Sequence, residues 1–470
     1  MLIETVDILP GMSDCVSAKK TAAELITQAV ARVKTYRPLH WCMERVVPHA
    51  LIIGGGVSGI SAALTLAGQG LAATIIEKKQ EVGGYIRDNA AGLDGSDAFA
   101  AYRDLMDQVK QNDKIKILTN SEVIGVKGRQ GKFMITLATG SGEQQEEYGA
   151  VIIAAGTVEY TPTSYLYGND ARVVNGTKAL NSIKTGTFMA EKGGVYAFIQ
   201  CVGSRCTDHH YCSRTCCLQS VESAIIIQTM DPEAQVYVFY RDIRTPGYLE
   251  KRYLEARNAG VIFVQYDAAE PPELDKTDGS LLTLTAIDPM SGRSLLIHPD
   301  QVILAVAQAP SNSRELAKLF HVQVNLDGFL METHHNFGSI AFPNGGIYIA
   351  GTAQGPKSMA ECLSQSRGIA VRAAKMLKQP FVKLGGCVAE VDSSKCAACL
   401  TCVRVCPFGV PVIDRMEKAM GSAHISAAEC RGCGVCAAEC PNKAIELGHY
   451  EVDQLRESIH IALTEAVYER

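Results

Sequence analysis

Short apolar runs closed by glycine alternate along this chain with stretches whose apolar residues repeat at helical spacing. ALII at 50–53 precedes a glycine turn, a small-residue helix and a second apolar run ending at Glu77. Ile115–Leu118, Phe133–Leu137 and VIIAAG at 151–156 are further strand candidates. VYAFIQ (195–200), an apolar helix from about Leu218, and VYVFY (236–240) form another strand–helix–strand unit. VILAVA from Val302 and GIYIAG from Gly346 follow, then a helix over about Met359–Leu377. Near the N-terminus Ala22, Leu25, Ile26, Ala29, Val30 and Val33 recur at helical spacing. So do Leu455, Ile459, Leu463, Ala466 and Val467 between Val452 and Tyr468. The mixed charge of that last helix's other face predicts a packing or subunit-docking element rather than a membrane anchor. Strands alternating with helices predict a parallel α/β sheet.

Composition narrows the classes. A chain of 470 residues buries a sizeable core and predicts two or three domains. A net charge of −5 gives no electrostatic footing for nucleic acid. No run of eighteen apolar residues is present, so no spanning helix is expected. The opening MLIETVDILPGMSD lacks the charged and apolar regions of a signal peptide, so a cytoplasmic location is expected. Seventeen cysteines are many for such a setting, where disulfides are rare. Most cluster in two places, which points to metal ligation. Cys15, Cys42, Cys362 and Cys387 stand apart and are read as small buried hydrophobes.

Gly54, Gly56 and Gly59 spell G-x-G-x-x-G between a strand and a helix, and Glu77 ends the following strand. Gly54 permits the tight turn, Gly56 lets the backbone approach a pyrophosphate, and Gly59 lets helix pack on strand. The helix N-terminus offers N–H groups to phosphate, and Glu77 would accept from the adenosine ribose.

Cys396, Cys399, Cys402, Cys406 and Pro407 spell C-x₂-C-x₂-C-x₃-C-P, and Cys430, Cys433, Cys436, Cys440 and Pro441 repeat it. In this two-cluster pattern the fourth cysteine of each run crosses over. One 4Fe–4S cluster is therefore assigned to Cys396, Cys399, Cys402 and Cys440, the other to Cys430, Cys433, Cys436 and Cys406. A scaffold binding zinc there is the rival from another class, and zinc gives no reason for the repeated C-P.

The middle turn, CVGSRCTDHHYCSRTCC, stands where a second dinucleotide motif would need three glycines and has one. NAD(P)H is therefore not expected to dock there. Cys201, Cys212, Cys216 and Cys217 have the number and chemistry for a further cluster, with zinc and a redox disulfide as rivals. Cys206 is the spare, and His209 and His210 are read as exposed loop residues beside the quartet.

Three segments resemble the flavoproteins with two dinucleotide-binding domains, the family of thioredoxin reductase and the small subunit of glutamate synthase. EKKQEVGGYIRD carries Glu77, Lys78, Gly83 and Gly84. VIIAAGTVEYTP carries Ala155 and Gly156. GGIYIAGTAQGP carries Gly351, Thr352 and Gln354. The resemblance implies FAD, with Ser58 of the first helix completing the set. It departs from the family where an aspartate usually follows the last glycine, here Thr352.

FIQCVGSR with YCSRTCC, YRDIRTPG at 240–247, AGTAQGPKSM at 350–359 and the paired cluster motifs resemble the A-type subunits of heterodisulfide reductase and its relatives, including that of the Qmo complex. That resemblance implies a third 4Fe–4S cluster on Cys201, Cys212, Cys216 and Cys217. It implies an oxidoreductase that passes electrons through FAD and clusters within a hetero-oligomer, with no residue assigned as acid, base or nucleophile. Expected partners are B- and C-type redox subunits, a hydrogenase, a dehydrogenase or ferredoxin. Docking to a membrane partner subunit stays open too. Some members divide electrons at the flavin. The leader carries only Cys15 and Cys42, so an extra N-terminal cluster domain is expected to be absent or reduced. The alternative is an NAD(P)H-dependent flavin oxidoreductase of the glutamate synthase small-subunit type.

The expected fold is α/β: a Rossmann-like FAD-binding domain with an inserted, thioredoxin reductase-like second α/β domain, and a bacterial two-cluster ferredoxin-like α+β domain. The expected divisions are a helical leader at 1–46, FAD-binding parts at 47–160 and 300–386, the insertion at 161–299, the ferredoxin-like segment at 387–447 and a closing helix at 448–470.

Overall fold

The computed structural model describes residues 15–39, 41–89, 98–277, 280–332, 345–413, 421–427 and 429–468. The chain forms two compact units: Val46–Pro380, and the segment ending at Arg45 together with Phe381–Arg470.

In the larger unit five parallel strands make the first sheet, in the order Ile347–Ile349, Ala150–Ile153, His49–Ile53, Ala72–Ile76, Ile115–Leu118. Four of these are near-continuous apolar runs because a parallel sheet is covered on both faces. Leu51, Ile52, Ile75, Val151 and Ile152 are wholly buried, each contributing roughly 1.5–3 kcal/mol of transfer free energy. The Val57–Gly68 helix packs on this sheet through Ile60, Ala62, Ala63 and Leu66. On the other side lies an antiparallel meander, Glu122–Arg129, Lys132–Thr139 and Gly142–Tyr148. Phe133, Ile135 and Leu137 point from it into the same core.

A second parallel sheet runs Val173–Asn175, Gln301–Val306, Val195–Val202, Gln235–Tyr240, Ile262–Gln265. The Cys216–Met230 helix covers it, with Val221, Ala224 and Ile227 packed on Phe198, Val236 and Val238. A further antiparallel meander spans Glu273–Thr277, Leu281–Asp288 and Arg293–Ile297. Two linkers join the sheets and pair with each other, Gln308 opposite Glu159 and Pro310 opposite Thr157. The boundary expected at 299/300 is corrected here. The VILAVA strand lies in the second sheet between two of its strands, so the return to the first sheet comes at the 308–310 linker. A strand's partners are set by contacts far away in sequence, and apolar runs of either sheet look alike.

In the smaller unit Trp41–Arg45 pairs antiparallel with Phe381–Gly385, which draws the division expected at 386/387 back to 380/381. The Cys15–Lys34 and Val452–Tyr468 helices lie alongside each other, and Gln454 donates to the Thr35 carbonyl at 3.5 Å. Leu25, Ile26, Val30, Val33, Leu455, Ile459 and Leu463 of this pair are exposed. The side chains of Ala22, Ala466 and Val467 lie outside the described residues. Among the described residues no helix is long and apolar enough to cross a membrane. The ferredoxin-like segment is built from minimal elements: Ala389–Val391 on Ile445–Leu447, Val412–Ile413 on Ala423–His424, and the short helices Thr401–Val405 and Val435–Ala438.

Candidate flavin and iron–sulfur sites

The turn after His49–Ile53 is shaped by backbone contacts that exclude side chains. A Cβ on Gly54, which has φ +109°, would meet the Ala154 carbonyl at 2.3 Å. One on Gly59 would meet the Gly54 carbonyl at 2.0 Å, so the helix seats directly on the turn. At Gly56 nothing lies within 4 Å of the added atom. That open side is a cavity of about 400 Å³, within the usual range for a cofactor site. Gly83 donates to the Gly55 carbonyl at 2.7 Å, bringing the Gly83–Gly84 pair against the turn. Glu77 is buried, one oxygen accepting from Gly55 at 2.8 Å and the other from Lys79 at 2.9 Å.

Gly54, Gly56, Ser58, Glu77, Lys78, Gly83, Gly84, Ala155, Gly156 and Thr352 all line this one cavity. Gly59 and Gly351 shape it from behind; a Cβ on Gly351 would strike the Ser58 hydroxyl at 2.2 Å. Gln354 lines a neighbouring groove of about 1540 Å³ instead, accepting from Gln365 at 2.6 Å. An open turn at a helix N-terminus, backed by a buried carboxylate, fits a dinucleotide.

Several further wall residues have no role assigned by the sequence motifs. Tyr85 is 38% exposed where it lines the cavity, yet the surrounding protein pushes its phenol up to about 12. Lys357 lines both the cavity and the groove, and burial lowers its ammonium from the ordinary range. Cys362 is a buried wall residue whose thiol burial raises. Glu159, Thr177 and Gln219 complete a polar stretch of wall.

The middle quartet sits at the edge of the same cavity. Cys201 is the penultimate residue of the Val195–Val202 strand and has φ +63°, a left-handed conformation at a register shift. Arg205 and Arg214 in the following loop are left-handed too, and such strained residues gather at functional sites. Cys216 and Cys217 open the next helix, where backbone N–H groups favour thiolate. The four thiols are close enough that Cys212 and Cys217 perturb Cys201, and all three others perturb Cys216. Burial pushes the Cys201 thiol up to about 11. The hydrogen bond between Cys216 and Cys217 raises the first and lowers the second.

Arginines gather around these thiols. Arg205 reaches Cys201 Sγ at 3.9 Å and ion-pairs with Asp242, which also holds Arg244 at 3.2 Å. The Arg214 amide donates to Cys212 Sγ at 3.3 Å, and its guanidinium pairs with Glu361 at 2.6 Å. Cys216 lines the flavin-type cavity while Cys212 lines the groove. His209 is half-buried, hydrogen-bonded to the Gly203 carbonyl at 2.9 Å and set edge-on to Tyr160; His210 is exposed. Cys206 lies near Tyr211.

In the ferredoxin-like segment two small cavities collect the cysteines. Cys396, Cys399, Cys402 and Cys440 line one; Cys406, Cys430, Cys433 and Cys436 line the other. Amides of Ala423 and Ala444 donate to Cys396 and Cys440 at 3.4 and 3.3 Å. Those of Ala389 and Gly432 donate to Cys430 at 3.4 Å each. Thiolate sulfurs met by amides inside apolar walls are the donor set of an iron–sulfur cubane. Among the described residues no group of three or more His, Cys, Asp or Glu side chains is gathered as a metal-ion site. A cubane is wider than one ion and holds its ligands further apart. Of the isolated cysteines, Cys362 is buried, Cys42 is half-buried with its thiol 3.6 Å from the Leu384 carbonyl, and Cys387 is exposed. The Cys15 side chain lies outside the described residues.

Residues 48–188 match the family described as pyridine nucleotide-disulphide oxidoreductase, and residues 395–445 match the 4Fe-4S dicluster domain. The first match ends before the Val195–Val202 strand and its cysteine turn. The chain is 29% identical to the A-type subunit of the H(2):CoB-CoM heterodisulfide,ferredoxin reductase of Methanothermobacter thermautotrophicus, over 97% of this chain and 82% of that protein. It is 27% identical to the A-type subunit of the H(2)/formate:CoB-CoM heterodisulfide,ferredoxin reductase of Methanococcus maripaludis, over 87% and 76%. The crystal structure of Lactococcus lactis thioredoxin reductase aligns with a TM-score of 0.48 and 16% identity, over 71% of this chain and 99% of that one.

Proposed function

We propose that this chain, which belongs to the family of heterodisulfide reductase A-type subunits, holds FAD and three 4Fe–4S clusters as the electron-transfer subunit of a cytoplasmic complex. The observation that carries the reading is the place of Cys216. It feels all three other thiols of the quartet and at once lines the wall of the cavity beneath the glycine turn. A cluster on Cys201, Cys212, Cys216 and Cys217 would thus adjoin the flavin at the turn a second dinucleotide would need.

In this reading the Gly54–Gly59 turn and the helix behind it receive the pyrophosphate, and Glu77 the adenosine ribose. Bound flavin exchanges two electrons and cubanes carry one each, which converts paired electrons into single ones. The chain's own residues shape that exchange. Arg205 and Arg244 lower the cost of negative charge on the middle quartet, Lys357 places an amine in the cavity wall, and backbone amides meet the sulfurs of the ferredoxin-type quartets. Partners of the kind named for the relatives, acting on hydrogen, formate, ferredoxin or a heterodisulfide, are the expected donors and acceptors. Division of the flavin's two electrons between two acceptors is the further step this arrangement serves.

The test is anaerobic purification followed by flavin, iron and sulfide analysis. One flavin with about twelve iron is expected, roughly four per cubane. About eight iron with full flavin removes the middle cluster, and zinc in place of iron removes the reading. Rapid reduction of the isolated chain by NADH or NADPH would instead favour a nicotinamide-dependent enzyme. Division of electrons requires that a high-potential acceptor drive ferredoxin reduction by the purified complex.

A further inference from the structure

We propose that Tyr85, Thr177 and Glu159 form a proton relay between the flavin cavity and water; the proposal rests on the functional reading above and adds a route for protons to it. Tyr85 belongs to the Tyr85–Asp88 helix beside the first sheet, Glu159 to the linker between sheets, and Thr177 to the Gly176–Lys184 helix on the second sheet. Sequence separation hides that they meet. All three line the cavity.

Their hydrogen bonds run in one direction. The Thr177 hydroxyl meets the Tyr85 hydroxyl at 2.7 Å, the Gln219 amide nitrogen at 3.1 Å, and the Glu159 carboxylate. A threonine hydroxyl has one proton to give and two lone pairs to accept with. The Gln219 nitrogen only donates and an ionised carboxylate only accepts. Thr177 therefore gives its proton to Glu159, and Tyr85 gives its own to Thr177. The Gln219 amide also hydrogen-bonds Tyr85, whose phenol oxygen has a second lone pair for a donor held in the cavity.

The outer end is held as firmly. Asn175 donates to the second Glu159 oxygen at 2.9 Å, and its own side-chain oxygen accepts from the Lys178 amide at 2.8 Å. Thr177, Asn175 and Gln219 are buried, whereas Glu159 is partly exposed. Tyr85 stays protonated as its environment resists the phenolate, so it passes protons and does not store charge.

Protonating Glu159 reverses the chain. Glu159 then donates to Thr177, Thr177 to Tyr85, and Tyr85 points its O–H into the cavity. Two-electron reduction of a flavin to its anionic reduced form takes up one proton, with the electrons supplied by a reduced iron–sulfur donor. In the relay the Tyr85 O–H bond breaks as the proton leaves for the ligand's nitrogen. Tyr85 oxygen takes the Thr177 proton, Thr177 oxygen takes the Glu159 proton, and the resulting carboxylate recovers one from water. One proton enters and one is delivered.

The experiment uses the anaerobically purified chain with its flavin bound. A light pulse on deazaflavin with EDTA supplies low-potential electrons. Flavin absorbance follows the reduction, and phenol red in weakly buffered solution follows proton uptake. Thr177→Val and Tyr85→Phe are each expected to slow proton uptake on the order of a hundredfold, a typical contribution of a positioned acid. Uptake is compared per bound flavin and against the electron-delivery phase of the same sample, and Thr177→Ser should recover most of the rate. Uptake at the wild-type rate in either Thr177→Val or Tyr85→Phe, with flavin bound, overturns the relay. Slowing by Tyr85→Phe alone also overturns it, since Tyr85 would then act by contact. Should Thr177→Val lose its flavin, Tyr85→Phe and Glu159→Gln decide, and normal uptake in either rejects the proposal. A wild-type chain purified without flavin or iron would defeat the functional reading instead, before any variant is compared.

Discussion

The ferredoxin-type quartets and the middle quartet are held in opposite ways. In the ferredoxin-like segment the buried core consists of Ala389, Cys402, Ala423, Cys436, Cys440, Ala444 and Ile445, so three of seven core residues are candidate ligands. Its strands are two or three residues long and its helices four or five. So little apolar surface cannot offset the entropy of ordering the segment. The middle quartet rides on a sheet and its covering helix, whose Phe198, Val221, Ala224, Val236, Val238 and Ile303 are wholly buried without any cysteine. A cofactor that supplies the core should be needed for folding, and one seated on a finished core should not.

The largest expected effect breaks the comparison at its root. Cys402→Ser or Cys436→Ser should cost both ferredoxin-type clusters, about eight iron, because the crossed cysteines Cys406 and Cys440 tie the two halves together. Residues 387–447 should then become susceptible to limited proteolysis. Cys216→Ser should cost only about four iron, with flavin content and thermal midpoint close to wild type. Equal loss of fold in both would refute the contrast.

Legibility in the sequence follows the same divide. A local cubane motif is written in nearby residues, so C-x₂-C-x₂-C-x₃-C-P points to the cysteines that line the two small cavities, and apolar runs with G-x-G-x-x-G point to the first sheet. The cavity-facing polar groups Tyr85, Glu159, Thr177 and Gln219 come from four elements, and no spacing announces them. Lys357 stands inside AGTAQGPKSM, but nothing local shows that it lines the cavity. The Glu122–Tyr148 meander was only partly visible, because one face of an antiparallel sheet is wet and strands such as GEQQEEY read as loop. VILAVA was recognised as a strand and put in the wrong sheet, since pairing is a long-range property.

A second prediction probes the scaffold under the middle quartet. Glu222 is buried on the Cys216–Met230 helix and paired with Arg252 of the Glu250–Asn258 helix. Glu222→Ala leaves Arg252 without that partner. The cost should be about 2–3 kcal/mol, below that of a fully buried pair because Arg252 is partly exposed. Chemical denaturation of the flavin-containing unit reads it. A smaller effect on the larger unit than on the ferredoxin-like segment would show that the ion pair does not brace the helix.

Electrostatics supplies a finer separation. Arg205 reaches Cys201 Sγ, and Asp242 holds it there. Arg205→Gln removes a charged donor and should lower the potential of the middle cluster alone. A hydrogen bond of about 1 kcal/mol corresponds to roughly 40 mV for a one-electron couple. An EPR-monitored redox titration should show one signal moving and two unmoved. A shift shared by all three signals would mean the effect is long-range.

The smallest effect lies between the two halves of the ferredoxin-like segment. Ala398 and Leu400 occupy the second and fourth positions after Cys396, with φ +51° and +64°; Gly432 and Gly434 occupy the same positions after Cys430, with φ +67° and +76°. The backbone repeats, but only the second half uses the residue that tolerates it. A left-handed conformation costs a non-glycine residue roughly 1–2 kcal/mol, against the roughly 0.5–1 kcal/mol of extra entropy glycine loses on folding. Ala398→Gly should therefore stabilise the segment by about 0.5 kcal/mol, seen as slower proteolysis at unchanged iron content. Gly432→Ala should do the reverse and more, since its Cβ would meet the Cys387 carbonyl at 2.3 Å. If both substitutions are neutral, the clusters alone dictate these loops and the local backbone contributes nothing.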